Sequence, residues 1–239
     1  MPHFDIVKKS NPEKSFRVAS IMGKFDLASS KVEERFTGNI DLPDDWQIGL
    51  IVGGSGTGKT TIAKELFKDS YITNFKYSNK SILDDMPENC SVEEIANKFN
   101  SVGFSSPPSW LKSYDSLSNG QKMRVDLANA LLRDDELVVF DEFTSVVDRK
   151  VAQTGSFAIQ KAVRKTKRKF IAVTCHFDVG DWLMPDWIFN ADDMSFCNRK
   201  GQKKNRPQIN LEIFKTDDKS SWKIFRKHHY LSHNHNNAA

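Results

Sequence analysis

"GGSGTGKTT", residues 53–61, follows the apolar run WQIGLIV and precedes TIAKELFK, whose apolar residues recur at helical spacing. Its glycines, lysine and threonine satisfy the pattern G-x-x-x-x-G-K-[ST] in the strand–turn–helix context that the pattern requires. Glycines let successive backbone N–H groups turn inward around an anion, and a helix N-terminus adds partial positive charge. The stretch therefore predicts a phosphate-binding loop for a nucleotide. The predicted contacts are Gly53, Gly54, Ser55, Gly56, Thr57, Gly58, Lys59, Thr60 and Thr61.

In a second stretch, LVVFDEFTSVVD at residues 137–148, a run of apolar residues is followed directly by two carboxylates, Asp141 and Glu142. A buried charge costs several kcal/mol unless it is paired or bound to a metal. With a phosphate loop upstream, Asp141 and the Thr60 hydroxyl are the expected ligands of Mg²⁺. Glu142 is then placed to polarise the water that attacks the γ-phosphate, while Lys59 reaches the β- and γ-phosphates.

Composition limits the class of protein. The 239 residues carry a net charge of +4, with 38% hydrophobic and 28% charged residues, as in globular domains. No apolar run approaches the roughly 18–20 residues that span a bilayer, so we expect no direct membrane insertion. The N-terminal residues contain no apolar signal-peptide core, and three widely spaced cysteines match no disulfide or zinc pattern. We therefore expect a cytoplasmic protein with reduced thiols.

The order of patterns predicts an α/β fold. Residues 4–42 show partial period-two alternation, including FRVASIMGKFDL, and predict an N-terminal antiparallel β subdomain. Strands then alternate with helices, which predicts a parallel-sheet core. SVEEIANKFNSV begins with a capping box and predicts a helix, whereas Pro107 and Pro108 predict a loop. We expect one domain over residues 1–195 and a basic extension over 196–239, with ten Lys/Arg against three Asp/Glu from Ser195 onward.

The stretch LSNGQKMRVDLANALL, residues 117–132, resembles the signature motif of ATP-binding-cassette (ABC) ATPases, usually written LSGGQ. SVVD, residues 145–148, resembles the D-loop of that family, and VTCH ends in a histidine where the family has its switch histidine. The resemblance covers about residues 15–190, with the motifs in the family's order. The resemblance implies a P-loop NTPase of ABC type, with ATP and Mg²⁺ as its ligands and a short helical subdomain.

The resemblance also implies roles for individual residues. Two subunits would sandwich two ATP molecules in an ATP-dependent homodimer, each site completed by the other subunit's signature residues. His176 would hold the γ-phosphate and Asp148 would couple the two sites. Phe25 lies about where the family stacks an aromatic ring on adenine, although a core phenylalanine is the alternative. The implied signature contacts are Ser118, Asn119, Gly120 and Gln121.

The sequence departs from the family in four places. Asn119 and Phe143 replace a customary small residue and proline, and the segment before the signature, residues 86–116, is short. The family's glutamine between the P-loop and the signature is missing, because no Gln occurs between Thr61 and Gly120. Asp84 or Asp85 occupies its expected position.

Three functions remain open. The main reading is a soluble ABC-type ATPase that hydrolyses ATP to drive a conformational cycle on a partner, with nucleic acid as a candidate through the basic tail. The alternative is the ATP-binding subunit of a transporter with separate membrane subunits. A third is a module that closes on ATP without turnover. Within the tail, WKIFRKHHYLS resembles the segment where certain soluble ABC ATPases join a predicted acetyltransferase-like domain.

Overall fold

The computed structural model describes residues 3–13, 15–27, 32–72, 75–78 and 80–199, with the side chains of Val32 and Ile72 excepted. Its strands are β1 (His3–Ser10), β2 (Val32–Asn39), β3 (Ile48–Val52), β4 (Tyr71–Ile72), β5 (Leu137–Phe140), β6 (Lys169–Thr174), β7 (Trp187–Asn190) and β8 (Ser195–Asn198). Its helices are α1 (Phe16–Lys24), α2 (Lys59–Leu66), α3 (Val92–Ser101), α4 (Pro107–Trp110), α5 (Asn119–Leu132), α6 (Arg149–Arg164) and α7 (Val179–Leu183).

A six-stranded sheet forms the core, in the order β4-β5-β6-β3-β7-β8. The first five strands of that order are mutually parallel, and β8 runs antiparallel to β7. The predicted parallel α/β core is therefore confirmed. Because the carboxyl ends of parallel strands meet at one edge of the sheet, the loops after β3 and β5 are brought to the same side of the molecule.

The sheet is buried on both faces. Alternate strand residues belong to two apolar clusters, so Leu50 packs on one face and Ile51 on the other. Such double burial explains why the strands read as continuous apolar runs in the sequence. Gly49 leaves room for the ring of Trp187, because a Cβ at Gly49 would lie 2.1 Å from that ring.

The N-terminal region is partly different from the expectation. β1 and β2 form the predicted antiparallel pair, from His3 opposite Asn39 to Ser10 opposite Val32. The predicted strand FRVASIMGKFDL is wrong, because it contains helix α1. The Ser15 hydroxyl accepts from the Val18 N–H at 3.2 Å and begins the helix, a signal that the partial alternation obscured.

Two further expectations concern the segment before α5. The capping box of α3 is confirmed, because Ser91 and Glu94 satisfy each other's backbone N–H groups. The predicted loop at Pro107 and Pro108 is wrong, because both prolines lie in the first turn of α4, where a missing N–H costs nothing.

The C-terminal boundary also differs in detail. β8 (Ser195–Asn198) crosses the domain boundary that we predict after residue 195, so the first residues of the expected extension belong to the sheet. The remainder of the extension, residues 200–239, lies outside the described residues. In the part of the chain that the structure describes, no helix is long and apolar enough to cross a membrane.

Candidate functional site

A cleft of about 230 Å³ opens at the carboxyl edge of the sheet, between the P-loop, the end of β5 and the β1–β2 pair. We call it the P-loop cleft. It brings together the P-loop and the two carboxylates that the sequence singled out. Its lining residues are Lys8, Glu34, Phe36, Ser55, Gly56, Gly58, Lys59, Thr60, Thr61, Asp141, Glu142, Val173, Thr174 and Cys175.

The loop after β3 has the backbone that its glycines allow. Gly56 and Gly58 have φ of 85° and 87°, a left-handed conformation that strongly favours glycine. A Cβ at Gly58 would also lie 2.4 Å from the Phe36 ring. The Lys59 ammonium donates to the Gly54 carbonyl at 2.5 Å, so the loop curls around its own lysine. The loop therefore places the Lys59 ammonium and the N-terminus of α2 where phosphates would bind.

Asp192, which the sequence did not single out, fixes the outer side of this loop. Its Oδ1 accepts a hydrogen bond from the Gly54 N–H at 2.7 Å, across 138 residues of sequence. The carboxylate follows β7, the strand next to β3, so sheet topology brings it to the P-loop. No local spacing signals such a contact.

Asp141 lies at the centre of the expected metal site. Its Oδ2 accepts from the Thr60 hydroxyl at 2.9 Å, and its Oδ1 accepts from the Glu142 N–H at 2.9 Å. The Tyr71 hydroxyl also donates to Oδ2. Burial first, and then the Asp141 carboxylate, raise the pKa of Tyr71 far above its ordinary value, so its hydroxyl stays a donor.

These residues fit Mg²⁺. The ion prefers oxygen ligands and is usually held by one or two carboxylates together with substrate phosphates and water. The adjacent Thr60 hydroxyl and Asp141 carboxylate supply such oxygens on the P-loop side of the cleft. Among the described residues, no group of three or more His, Cys, Asp or Glu side chains is placed so that it could hold a metal ion by itself. Phosphate and water would therefore have to complete the shell.

Glu142 stands in the turn after β5, with its side chain exposed and lining the P-loop cleft. Its φ of 52°, like that of Thr144 at 68°, lies in the left-handed region. Such backbone costs of order 1–3 kcal/mol for residues other than glycine and tends to occur at functional sites. The turn thus presents a solvent-accessible carboxylate beside Asp141, the carboxylate expected to hold the metal, where a general base for water would be needed.

His176 lies close to this turn but does not line the cleft. Its Nδ1 is 3.3 Å from the Thr144 hydroxyl, and Thr144 is itself buried. The preceding residue, Cys175, does reach the cleft wall. The expected contact of His176 with a γ-phosphate stays a prediction.

The signature residues occupy a different surface. Ser118 caps α5, with its hydroxyl accepting from the Gln121 N–H at 3.4 Å and its own N–H donating to Gln121 at 3.1 Å. Asp148 caps α6 by accepting from the N–H groups of Lys150 and Val151, each at 3.0 Å. We call Ser118, Asn119, Gly120, Gln121 and Asp148 the signature surface. None of the five lines the P-loop cleft.

Gly120 joins the two halves of the signature surface. A Cβ at this position would lie 2.9 Å from Cγ1 of Val151, in the first turn of α6. The start of α5 therefore packs against the start of α6, and the caps of Ser118 and Asp148 are held in a fixed relation.

Two other sets of residues that the sequence singled out lie outside the lining of the cleft. Phe25 is 62% exposed, so the alternative of a core phenylalanine is wrong, and it does not line the cleft. Its stacking on adenine stays a prediction. Asp84 bonds to the Ser81 hydroxyl, and Asp85 accepts from the Ser78 N–H at 3.0 Å. Neither carboxylate lines the cleft, so the structure does not support either one as the replacement for the missing glutamine.

Residues 67–145 match the family model described as "ABC transporter", less than half of the chain. The energy-coupling factor transporter ATP-binding protein EcfA1 of Mycoplasmopsis pulmonis is 29% identical over 113 residues, 46% of this chain and only 42% of that relative. EcfA of Malacoplasma penetrans is 23% identical over 251 residues, covering 82% of this chain and 77% of the relative.

A solved structure shares the architecture. It is the dimeric post-hydrolysis state of the ATP-binding cassette MJ0796 bound to ADP and Pi. Its TM-score is 0.52 at 16% identity, and the superposition covers 66% of this chain and 87% of that one. The fold is therefore that of an ABC-type P-loop NTPase, as the sequence predicts.

Proposed function

We propose that this chain, which has the fold of an ABC-type P-loop NTPase, binds Mg-ATP in the P-loop cleft and hydrolyses it. The observation that carries the proposal is the hydrogen bond between Thr60 and Asp141, 2.9 Å long, beside Lys59 and the exposed carboxylate of Glu142. A hydroxyl, two carboxylates and an ammonium around one phosphate loop are the groups that phosphoryl transfer to water requires.

The residues have separable roles in that reaction. The N–H groups of the P-loop and the Lys59 ammonium bind the β- and γ-phosphates. Thr60 and Asp141 hold Mg²⁺, which neutralises phosphate charge when bound. Glu142 takes a proton from water as the water oxygen attacks the γ-phosphorus, the bond to the bridging oxygen breaks, and ADP leaves.

The second part of the proposal is an ATP-dependent homodimer. The signature surface presents the N-terminus of α5, a 14-residue helix, away from the chain's own P-loop cleft. A helix N-terminus attracts anions, and Ser118 and the Gly120 N–H add donors. Each nucleotide would be completed by the signature surface of the other copy, with Asp148 coupling the two sites and His176 meeting the γ-phosphate. The dimeric relative of similar fold supports this arrangement.

The comparisons favour the transporter reading over action on nucleic acid. Both energy-coupling factor relatives are transporter ATP-binding proteins by name. We therefore propose an ATP-binding subunit at the cytoplasmic face of a membrane, working with separate membrane subunits. The basic tail, residues 200–239, lies outside the described residues, and no comparison supports its action on nucleic acid or an acetyltransferase-like fusion.

Two assays test the proposal. Purified chain should release phosphate from ATP in the presence of Mg²⁺, and Lys59→Ala should abolish that release, whereas Lys68→Ala, an exposed lysine outside the cleft, should not. Tagged chain isolated from detergent-solubilised membranes of its own cells should retain an integral membrane protein after nuclease treatment. Retention of nucleic acid and of no membrane protein would contradict the transporter assignment.

A further inference from the structure

Tyr71 holds an unusual position beside the P-loop cleft. It begins the edge strand β4 and pairs in parallel register with Val139, two residues before Asp141. Its ring packs against the cluster of the second sheet face, and the Lys64 ammonium on α2 lies 5.1 Å from the ring centroid. The ring is thus held between α2 and the sheet, with its hydroxyl directed at the end of β5.

The hydroxyl of Tyr71 completes a set of three donors around one carboxylate. Oδ2 of Asp141 accepts from both Tyr71 and Thr60, while Oδ1 accepts from the Glu142 N–H. A carboxylate has about four lone-pair sites, so these three donors leave about one, on Oδ1. The donors therefore decide which Asp141 oxygen remains for a metal or its water shell.

We propose that Tyr71 is a positioning residue for the magnesium site, and that its hydroxyl orients the Asp141 carboxylate relative to Thr60. This inference rests on the proposed binding of Mg-ATP. Partners that orient metal-binding carboxylates typically change metal affinity or activity by about 10–100-fold.

Tyr77 of the same chain provides a matched control for Tyr71. The Tyr77 hydroxyl donates to Asp126 at 2.7 Å, and its ring stacks on Tyr114 at 3.9 Å between centroids. This bond is the same chemical type, a tyrosine hydroxyl on a partly buried carboxylate, but neither partner lines the P-loop cleft. Tyr77→Phe therefore removes an equivalent hydrogen bond without touching the metal site.

The test measures binding of AMP-PNP, a non-hydrolysable ATP analogue, by calorimetry in MgCl₂ and in EDTA. The ratio of the two affinities reports the contribution of the metal alone. We expect Tyr71→Phe to lower that ratio by about 10-fold or more while leaving the affinity in EDTA unchanged. Tyr77→Phe should keep the wild-type ratio.

Other outcomes overturn the inference. A wild-type ratio in Tyr71→Phe, or equal losses in MgCl₂ and EDTA, would show that the hydroxyl does not act through the metal. In an Asp141→Asn background Tyr71→Phe should have no further effect on the ratio, and additive losses would contradict the assigned route. If wild-type protein binds AMP-PNP with the same affinity in MgCl₂ and in EDTA, the proposed function itself is refuted, and the inference with it.

Discussion

The P-loop cleft and the signature surface are both rich in polar groups, but the hydrogen-bond partners of those groups differ in their distance along the sequence. At and beside the cleft, several hydrogen bonds join distant segments, as from Thr60 to Asp141 and from Gly54 to Asp192. On the signature surface the caps are local, because Ser118 pairs with a residue three positions on and Asp148 with the N–H groups of the next turn.

This difference shows how the two surfaces are preorganised. The cleft forms only when β3 and β5 lie in one sheet, since the P-loop follows β3 and both Asp141 and Glu142 follow β5. The signature surface is fixed by helix caps and the packing of Gly120 against Val151, and it faces no phosphate loop of its own chain. A helix N-terminus that lies outside the P-loop cleft of its own chain is what the proposed composite site between two copies requires.

The largest expected effect is on the rate of phosphate release and comes from a substitution in the P-loop cleft. Glu142→Gln should lower the rate of phosphate release by about 10²–10⁴-fold, because the general base is lost. ATP binding should persist, since Lys59, Thr60 and Asp141 are unchanged. Steady-state phosphate release and calorimetry measure the two quantities. Glu65→Gln, an exposed glutamate on α2 outside the cleft, is the control, and a near-wild-type rate in Glu142→Gln would remove that residue from the role of base.

The next largest expected effect is a loss of turnover from a substitution on the signature surface. Ser118→Asp keeps a good capping acceptor for α5 but places a negative charge opposite the partner's γ-phosphate. Like charges brought together in this way cost several kcal/mol, so turnover should fall by about 100-fold or more. The control is Ser118→Ala, which should cost about 1 kcal/mol of stability through the lost cap but should retain more turnover.

A mixture of two variants tests whether the P-loop cleft of one copy acts together with the signature surface of the other. Lys59→Ala breaks only the cleft and Ser118→Asp only the signature surface, so a mixed dimer contains one intact composite site. An equal mixture of the two inactive variants should recover about a quarter of wild-type turnover if symmetric dimers exchange freely. A mixture no more active than its components would place both residues in the same copy's site.

The smallest expected effect is on stability and concerns Asp186, which binds the start of β3. Asp186 accepts from the Gln47 and Ile48 N–H groups, at the start of the strand whose far end carries the P-loop, and pairs with Arg164 at 2.7 Å. Burial alone would raise the pKa of Asp186, but Arg164 and the two N–H groups together hold it below its ordinary value of 3.8.

The sign of the pH dependence follows from that lowered pKa. The ionised carboxylate contributes stability above pH 3.8, and the contribution is lost as pH falls through the folded-state pKa. Asp186→Asn should therefore lower the free energy of unfolding at pH 7 by about 1–3 kcal/mol, with a smaller difference toward pH 3. Urea denaturation across this range tests it, and a difference that does not change with pH would contradict the assignment.

The same contrast explains what could be predicted from the sequence. The P-loop, the cap at Ser91 and the strand ending at Asp141 depend on spacings of a few residues, and local spacing is what a sequence shows. The fold followed from the alternation of such patterns. Helix α1 was missed because its period-two and helical spacings overlap, and only the cap at Ser15 separates them.

The contacts of Tyr71 and Asp192 could not be predicted in this way. Tyr71 meets Asp141 across 70 residues and Asp192 meets Gly54 across 138. Both contacts depend on the order of strands in the sheet, which brings β4 beside β5 and β7 beside β3. Without that order, family position alone points to Asp84 and Asp85, whose partners are Ser81 and Ser78.

The most direct test of the composite site is the mass of Glu142→Gln in solution, measured by light scattering with and without Mg-ATP. Removal of the base should trap ATP between a P-loop cleft and the signature surface of a second copy. We expect a monomer without nucleotide and a doubled mass with Mg-ATP, and we expect adding Ser118→Asp to abolish the doubling. A mass that does not change while calorimetry shows bound ATP would contradict it.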